Sequence, residues 1–309
     1  MLHFAAIRLL WAFLTVALVV TFAFVVLRLS GDPAVSIMGN DASAEAMAAF
    51  RREWGLNDPI WQQYLSYVSA LFRGEFGMSM RGGGAAMDLV LSRIPATLAL
   101  TLPALCIKLV IGIPAGMYAA LHRKTPVDRF VMVAAVGGHT IPSFVLGLIL
   151  VQLFSIWLGW MPTGGAGGWL HPVLPVLTLG IGGAAVLARF VRSAMLEVLG
   201  QPYIRAASAR GIPWGAVIRG HALPNAATPT VTIVGFLVGN LIAGAVVVES
   251  VFSWPGIGNL LVVSVTARDL TVVQCILILI TIAMVLSNLT VDLLCGILDP
   301  RLRDESGGY

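Results

Sequence analysis

Six runs of mostly apolar residues, each long enough to cross a bilayer, constrain this chain more than any other feature. They lie near residues 9–28, 96–121, 130–159, 173–191, 228–248 and 271–295. A bilayer core needs about 20 apolar residues of helix, because no water is present there to hydrogen-bond an open backbone. Only 11% of all residues are charged, against roughly a quarter in a soluble domain. We therefore predict an all-α polytopic membrane protein with six transmembrane helices. The third run is too long for one straight crossing, so part of it should tilt or extend past the membrane.

The Lys and Arg residues predict how the chain is oriented. If the N-terminus lies inside, the cytoplasmic pieces hold Arg8, Arg123, Lys124, Arg129, Arg189, Arg192, Arg205, Arg210, Arg219, Arg301 and Arg303. The short outside loops, 160–172 and 249–270, hold only Arg268. Segment 29–95 also contains arginines, but segments longer than about 60 residues cross largely regardless of charge. We therefore expect both termini in the cytoplasm.

The long segment after the first span is predicted to fold outside the membrane. Residues 43–54 have helical spacing followed by Gly55, and residues 59–73 fit a second helix that stops at Gly74. We expect both helices to pack on the outer mouth of the bundle. The predicted organisation is an N-terminal transmembrane helix (1–28), a helical periplasmic segment (29–95), a core transmembrane domain (96–299) and a cytoplasmic tail (300–309).

An Arg-rich block at residues 189–229 is the largest polar stretch in the second half of the chain. It holds five arginines against a single acid, Glu197. Its centre, Ala206-Ala207-Ser208-Ala209, is followed by Gly211 and Pro213. This pattern is typical of a short helix that carries small side chains and ends at the glycine. We predict a cytoplasmic helix over about 202–213 that contacts another molecule.

The chain lacks the motifs of an enzyme. Its only two lysines, Lys108 and Lys124, follow no Gly-rich loop, so it has no P-loop for ATP. The five histidines are scattered, and Cys106, Cys275 and Cys295 all lie in apolar runs without ligand spacing. We therefore expect no catalytic site, no metal site and no cofactor in this chain.

Polar residues within the apolar runs are candidates for a translocation path. Lys108 lies mid-span, where a charge is costly unless it faces a cavity or a partner. It either lines a path, or it snorkels or pairs with a neighbouring subunit. The other candidates are Ser143, Thr228, Thr232 and Asn240. Thr228 and Thr232 share one helix face, which suits either a pore lining or hydrogen bonds back to their own helix.

Pairs of glycines four residues apart recur in two spans. Gly112 precedes Gly116, and Gly235 precedes Gly239. Such pairs let helices approach closely. We favour packing within the chain over a dimer interface.

The Arg-rich block carries a spaced signature. Arg205-Ala206-Ala207 is followed by three residues and Gly211, and nine residues later by His221-Ala222-Leu223-Pro224. This pattern resembles the signature of ABC-importer permeases, which is Glu-Ala-Ala, three residues, Gly, nine residues and Ile-x-Leu-Pro. Arg205 replaces the Glu and His221 replaces the Ile. Both departures look like the dipeptide/oligopeptide/nickel branch of that family.

The resemblance covers almost the whole chain. Further segments that look like this branch are Leu29-Ser30-Gly31-Asp32-Pro33, Gly55-Leu56-Asn57-Asp58-Pro59, Gly74-Glu75-Phe76-Gly77, Pro142-Ser143-Phe144, Glu249-Ser250-Val251-Phe252, Pro255-Gly256-Ile257-Gly258, Arg268-Asp269 and Asp299-Pro300-Arg301. Their order and spacing fit throughout. The long outside segment resembles the first of the two non-identical permeases in such systems.

The resemblance implies a type I ABC-importer permease fold in a bacterial inner membrane, and a complex with four other components. These are a second permease, two cytoplasmic ATPases that bind ATP and Mg²⁺, and an outside solute-binding protein. The residues implied in ATPase coupling are Tyr203, Arg205, Ala206, Ala207, Ser208, Arg210, Gly211, His221, Leu223 and Pro224. Those implied in contact with the binding protein, or in an outer gate, are Glu249, Phe252, Pro255, Gly256, Arg268 and Asp269.

Three functions are considered on this basis. The resemblance implies a permease subunit of an ATP-driven, binding-protein-dependent importer, with di- or oligopeptides as the expected substrate. Nickel or a chelated metal is the alternative within the branch. A stand-alone secondary transporter is the alternative from another class, but it would need paired halves with broken helices and buried ion sites.

Overall fold

The computed structural model describes residues 2–29, 31–39 and 42–298, and this part of the chain is helical. Before the second span lie α1 (Leu2–Leu29), α2 (Pro33–Met38), α3 (Ala44–Glu53) and α4 (Ile60–Phe72). The middle of the chain forms α5 (Ala86–Leu121), α6 (Pro126–Thr140), α7 (Ser143–Leu150), a π-helix (Val151–Trp157) and α8 (Val173–Leu199). The remainder forms α9 (Pro202–Ala209), α10 (Trp214–Val217), a π-helix (Ile218–Ala222), α11 (Leu223–Gly239), a 3₁₀ turn (Ala243–Ala245), α12 (Val246–Val251), α13 (Ile257–Thr266) and α14 (Leu270–Leu298).

Five of the described helices are long and apolar enough to cross a membrane. They are Leu9–Leu29, Ala86–Leu121, Val173–Leu199, Trp214–Gly239 and Leu270–Thr290. The pair α6 and α7 would supply the sixth span if both halves together make one crossing. All six predicted apolar runs therefore contribute helix, although two of them differ from a single straight span.

The third run, 130–159, is broken in its middle. Its two halves, Pro126–Gly138 and Ser143–Trp157, bend by 99° relative to each other. Pro142 has no amide hydrogen to donate and pushes the preceding Ile141 into an extended conformation, with φ −76° and ψ 118°. The excess length of this run is thus taken up by a break at a proline, and the large angle between the halves is compatible with the expectation that part of the run tilts or extends past the membrane.

The fifth run, 228–248, is not one helix. A continuous helical stretch, Trp214–Gly239, starts well before it and ends inside it. The rest of the run forms the 3₁₀ turn and the start of α12. The helix that contains the second span, α5, begins at Ala86, so the boundary predicted at residue 96 falls within this helix.

The core is built on a close contact between two parallel helices, α5 and α8. A Cβ added to Gly112 would lie 2.9 Å from the carbonyl oxygen of Ala184, and one added to Gly116 would overlap the carbonyl oxygen of Ala188. Small residues allow such backbone approach. Gly239 packs likewise on Ser287 of α14. The preference for packing within the chain is confirmed at these positions.

The outside segment contains the two predicted helices. Ser43 caps α3 by accepting a hydrogen bond from the amide of Ala46, and α4 ends before Gly74, which has a φ of +77°. However, α4 packs along α1 instead of on the bundle mouth. The Tyr64 hydroxyl lies 2.7 Å from the Thr21 hydroxyl, and the Tyr64 and Tyr67 rings contact the buried Phe24 ring.

Several predictions concern parts of the chain that the structure does not describe. The C-terminal tail 300–309, with Arg301 and Arg303, lies outside the described residues. The same holds for the segment Asp299-Pro300-Arg301 and for the side chains of Arg8 and Cys295. What the sequence indicates for these residues therefore stays a prediction.

We expect Gly116→Ala to lower the free energy of unfolding by about 1–3 kcal/mol, because the new methyl group meets the backbone of α8, which cannot move aside cheaply. Thermal unfolding of the purified protein in detergent measures this change. The control is Gly137→Ala in α6, where a Cβ meets nothing within 4 Å and better helix propensity should add up to about 1 kcal/mol. Equal unfolding temperatures for Gly116→Ala and wild type would contradict a tight α5–α8 contact.

Candidate functional site

The centre of the Arg-rich block folds into a short helix, α9, which follows the end of α8. Pro202 occupies the first turn of α9, where a missing amide hydrogen costs nothing. The helix stops at Arg210, and Gly211 follows with a φ of +78°, a conformation that glycine adopts without strain. The helix predicted over about 202–213 is therefore present, with its turn at the expected glycine.

The two faces of α9 have different surroundings. Ile204 and Ala207 are buried, with 2% and 7% of their surface exposed, in an apolar cluster that includes Met195 of α8 and Val217 of α10. The opposite face is exposed and carries the remaining predicted coupling residues of the helix, which are Tyr203, Arg205, Ala206, Ser208 and Arg210. The close approach at Ala207 therefore serves packing within this chain, whereas Ala206 is the alanine open to a partner.

The second half of the signature links α9 to the fifth span. His221 is exposed and Ala222 is fully buried in the same apolar cluster as Ile204. Pro224 cannot donate a backbone hydrogen bond, and the chain passes through a π-helical turn at Ile218–Ala222 just before it. The Asn225 side chain donates to the carbonyl oxygen of His221 at 2.7 Å. The motif thus anchors the start of α11 beside α9.

An ion pair that the sequence did not reveal lies close to this helix. Arg192 of α8 donates to both carboxylate oxygens of Asp128 in α6, at 2.6 and 2.9 Å. Asp128 is buried, and it also accepts a hydrogen bond from the amide of Lys124 at 2.9 Å. The partners are 64 residues apart, so the only sequence signal was one acid among Arg123, Lys124 and Arg129. The pair joins α6 to the part of α8 that leads into α9.

At the opposite end of the bundle, Glu249 forms the centre of a buried polar cluster. Its carboxylate accepts hydrogen bonds from the Thr97 hydroxyl at 2.7 Å, the Gly258 amide at 2.7 Å and the Asn259 amide at 3.2 Å. Thr97 in turn accepts from the amide of Ile257 at 2.8 Å. Burial raises the pKa of Glu249 above its ordinary value, although these hydrogen bonds favour the charged form. The cluster fixes α12 and the start of α13 to α5.

A second buried carboxylate, Asp269, fixes the segment before α5 to the start of α14. It accepts from the Ser79 hydroxyl at 2.5 Å and from the Met80 amide at 3.2 Å. Of the six predicted outer residues, Glu249, Phe252, Gly256 and Asp269 are buried, so in this conformation they do not form a docking surface. Pro255 and Arg268 are partly exposed and remain candidates for contact with a binding protein.

The predicted path residues lie on separate elements. Lys108 is half-buried and its side chain lies against Gly183 of α8. Ser143 is exposed at the first turn of α7. In α11, the Thr232 hydroxyl donates to the carbonyl oxygen of Thr228 at 3.2 Å, and Asn240 at the helix end donates to that of Phe236 at 3.0 Å. These two bonds match the alternative of bonding back to the same helix, and the path itself remains a prediction.

The regions that match known protein families cover almost the whole chain. Residues 112–304 match the family described as binding-protein-dependent transport system inner membrane component. Residues 1–101 match the family for the N-terminal part of such membrane components. The glutathione transport system permease protein GsiC of Escherichia coli strain K12 is 41% identical over 304 residues, which are 98% of this chain and 99% of the relative. The protein of the same name from Shigella dysenteriae serotype 1 has the same identity, 41%, and the same coverage of 98% and 99%.

Solved structures share the fold. A chain of the MetNI methionine ABC transporter, in an inward-facing conformation, matches with a TM-score of 0.58 and 23% identity over 69% of this chain and 97% of its own length. A chain of an amino acid ABC transporter with histidines matches with a TM-score of 0.51 and 22% identity over 69% of this chain and 94% of its own. At these identities the similarity concerns the fold alone.

We expect Asp128→Asn and Arg192→Gln each to lower the free energy of unfolding by about 2–4 kcal/mol, because each leaves a largely buried charge without its partner. The double variant should lose less than the sum of the two, since the second change removes the orphaned charge. Thermal unfolding in detergent measures all three.

The control pair is Arg73 with Glu75, which is exposed and 3.5 Å apart. Glu75→Gln should cost less than about 1 kcal/mol. A similarly small loss for Asp128→Asn would show that the α6–α8 ion pair does not hold the two helices together.

Proposed function

Since this chain belongs to the family of binding-protein-dependent transport system inner membrane components, we propose that α9 receives the motion of the ATPases and passes it to the membrane spans. The chain is a permease subunit of an ABC importer, embedded in the inner membrane, and ATP hydrolysis is the task of other subunits. The type I ABC-importer permease fold predicted from the sequence is confirmed. The coupling role of α9 is supported by one observation above all. This observation is that α9 is a short helix with one face exposed and the other face packed in the core.

The anchored face explains how motion would travel. Ile204 and Ala207 pack in the same cluster as α8 and the start of α11. Displacement of α9 therefore moves these elements together, because a close-packed interior transmits strain instead of absorbing it. The Asp128–Arg192 ion pair adds α6 to the group that moves.

The exposed face suits a negatively charged partner surface. Arg205 and Arg210 are exposed on α9, and Trp214 just beyond it is 52% exposed. Arginine and tryptophan are the residues most often found at the energetic centres of protein interfaces. We assign this face to an ATPase subunit whose docking surface is acidic.

The importer is a complex of this permease with ATPase and binding-protein components. We propose two ATPases, which bind ATP and Mg²⁺, and a second, non-identical permease. The solute-binding protein docks on the opposite end of the bundle, where Pro255 and Arg268 are accessible. Both termini of this permease would then lie on the ATPase side.

We propose small peptides as the substrate, from dipeptides to peptides of glutathione size. The support is the relative from Escherichia coli, a glutathione transport permease that is 41% identical over 98% of this chain. Nickel or a chelated metal, the alternative considered from the sequence, has no comparable support.

Reconstitution tests the proposed function. The chain is purified with its partner subunits, placed in liposomes with ATP on the ATPase side, and supplied with the binding protein and radiolabelled glutathione or a dipeptide. Uptake should need both ATP and the binding protein. Uptake by this chain alone, driven by an ion gradient, would instead establish a secondary transporter.

We expect Gly211→Asp to abolish uptake and to lower substrate-stimulated ATPase activity while the protein still inserts. The new carboxylate would follow Arg210 directly in the chain and weaken the attraction of this end of α9 to an acidic partner. Gly211→Asn is the matched control, because Asn has the same shape and also tolerates a positive φ but adds no charge. Equal uptake by the two variants would contradict charge complementarity at this turn.

We expect Ala206→Glu and Ala207→Glu to fail for different reasons. Ala206 is exposed, so its variant should fold normally and lose about tenfold or more of coupled uptake through repulsion at the interface. Ala207 is 7% exposed, so its variant should lose about 3 kcal/mol or more of stability by burying a charge. Unfolding temperature and uptake, measured together, separate these outcomes. Wild-type uptake by Ala206→Glu would exclude this face of α9 from coupling.

A further inference from the structure

Two neighbouring cavities lie along the contact between α1 and α4. The first, which we call the polar cavity, has a volume of about 490 Å³ and is lined in part by Arg28, Arg51, Asn57 and Gln63. The second, which we call the apolar cavity, has a volume of about 400 Å³. Neither belongs to the coupling site or to the clusters around Glu249 and Asp269.

The polar cavity holds buried hydrogen-bonding groups without partners. Arg28 stacks over the Phe24 ring, with its guanidinium carbon 5.5 Å from the ring centre, and its Nε atom is buried without a hydrogen-bond acceptor among the described residues. Gln63 donates through Nε2 to the carbonyl oxygens of Leu56 and Asp58, but its Oε1 atom is buried without a donor. Unsatisfied buried polar groups are costly and rare in native proteins. A ligand with both an anionic acceptor and a donor would satisfy Arg28 and Gln63, once small rotations of these side chains expose the two atoms to the cavity.

The charge around this cavity is positive. Among the described lining residues Asp32 is the only acid, and Arg51 already neutralises it with contacts of 2.6 and 2.8 Å. Arg28 contributes a further positive charge, and the Arg268 guanidinium packs against Gly31 at the cavity edge. The surplus favours a singly charged anion such as a phosphodiester.

The apolar cavity continues the same helix contact towards the middle of the membrane. Its lining comes from α1, α4 and α14, and includes Val20, Tyr64, Val68 and Ile278. On α1 the lining runs from Val20 to Phe13, which precede Arg28 by 8 and 15 residues, or about 12 and 22 Å along a helix. The cavity therefore begins in the outer half of the ~30 Å hydrocarbon core and extends past its middle. Because Arg28 is at the end of the apolar stretch Leu9–Leu29, the polar cavity lies at the membrane surface.

We propose that these two cavities together bind one anionic phospholipid, with its phosphodiester at Arg28 and an acyl chain in the apolar cavity. A headgroup with hydroxyl groups, such as that of phosphatidylglycerol, also offers a donor for the Oε1 atom of Gln63. A free phosphate would use only the polar cavity, and an acidic segment of a protein partner would leave the apolar cavity empty. The lipid is the occupant that uses both. It would hold α4 against α1.

Native mass spectrometry of the purified transporter complex tests this proposal. The complex is titrated with phosphatidylglycerol, with phosphatidylcholine of the same acyl chains, and with glycerol 3-phosphate. Wild type should retain phosphatidylglycerol in preference to the other two. Equal retention of both lipids, or equal binding of glycerol 3-phosphate, would overturn the proposal, the latter in favour of a simple anion site.

Two variants locate the site. Arg28→Gln should weaken phosphatidylglycerol binding by about tenfold, whereas Arg52→Gln, which changes an exposed arginine of α3, should not. Val68→Phe partly fills the apolar cavity and should weaken binding of the lipid while leaving the charges unchanged. Equal effects of Arg28→Gln and Arg52→Gln, in variants that unfold at the wild-type temperature, would contradict the assignment.

A final comparison separates the lipid from a protein partner. The affinity of the solute-binding protein for the complex is measured in lipid-free detergent, for wild type and for Arg28→Gln. Equal affinities are expected. A loss confined to Arg28→Gln would assign the polar cavity to the binding protein and overturn the lipid site.

Discussion

The close contact between α5 and α8 is the interaction on which the rest of the structure depends. Gly112 and Gly116 bring the two backbones so near that a single added methyl group would meet a main-chain oxygen. Gly183 plays the corresponding role from α8, where it makes room for the Lys108 side chain. Since a lipid environment supplies no hydrophobic force between helices, shape complementarity of this kind must hold the pair together. The two helices therefore form one stiff, parallel unit that crosses the membrane.

Both ends of this unit carry the polar contacts that connect it to other elements. At one end, α8 leads directly into α9 and holds α6 through the Asp128–Arg192 pair. At the other end, Thr97 of α5 donates to Glu249, which fixes α12 and α13. Charged groups are costly within the hydrocarbon core, which is why the ion pair and the Glu249 hydrogen bonds lie at the ends of the two helices. If α9 is displaced, the α5–α8 unit can move as a whole. The contacts around Glu249 at the opposite end then move with it.

The sequence predicted the helices well and their breaks poorly. Six apolar runs, both helices of the outside segment and the turn at Gly211 follow from local composition and from glycine and proline chemistry. The bend at Pro142 and the end of α11 at Gly239 do not follow from hydropathy, because both runs stay apolar across the break. Glu249 is buried and accepts a hydrogen bond from Thr97, which lies 152 residues away in the sequence. A local sequence pattern cannot predict a contact between residues so far apart.

The signature itself divides into two physical parts. Its buried or conformationally restricted positions are Ala207 and Gly211, and at both of these the chain keeps the residue of the family pattern, which packing or a positive φ requires. The two departures from the family pattern, Arg205 and His221, are both exposed. A change at an exposed site costs the fold almost nothing, so these positions are free to follow the partner surface. The buried positions thus anchor α9 in the core of this chain, and the exposed ones form the face that we propose for the contact with an ATPase.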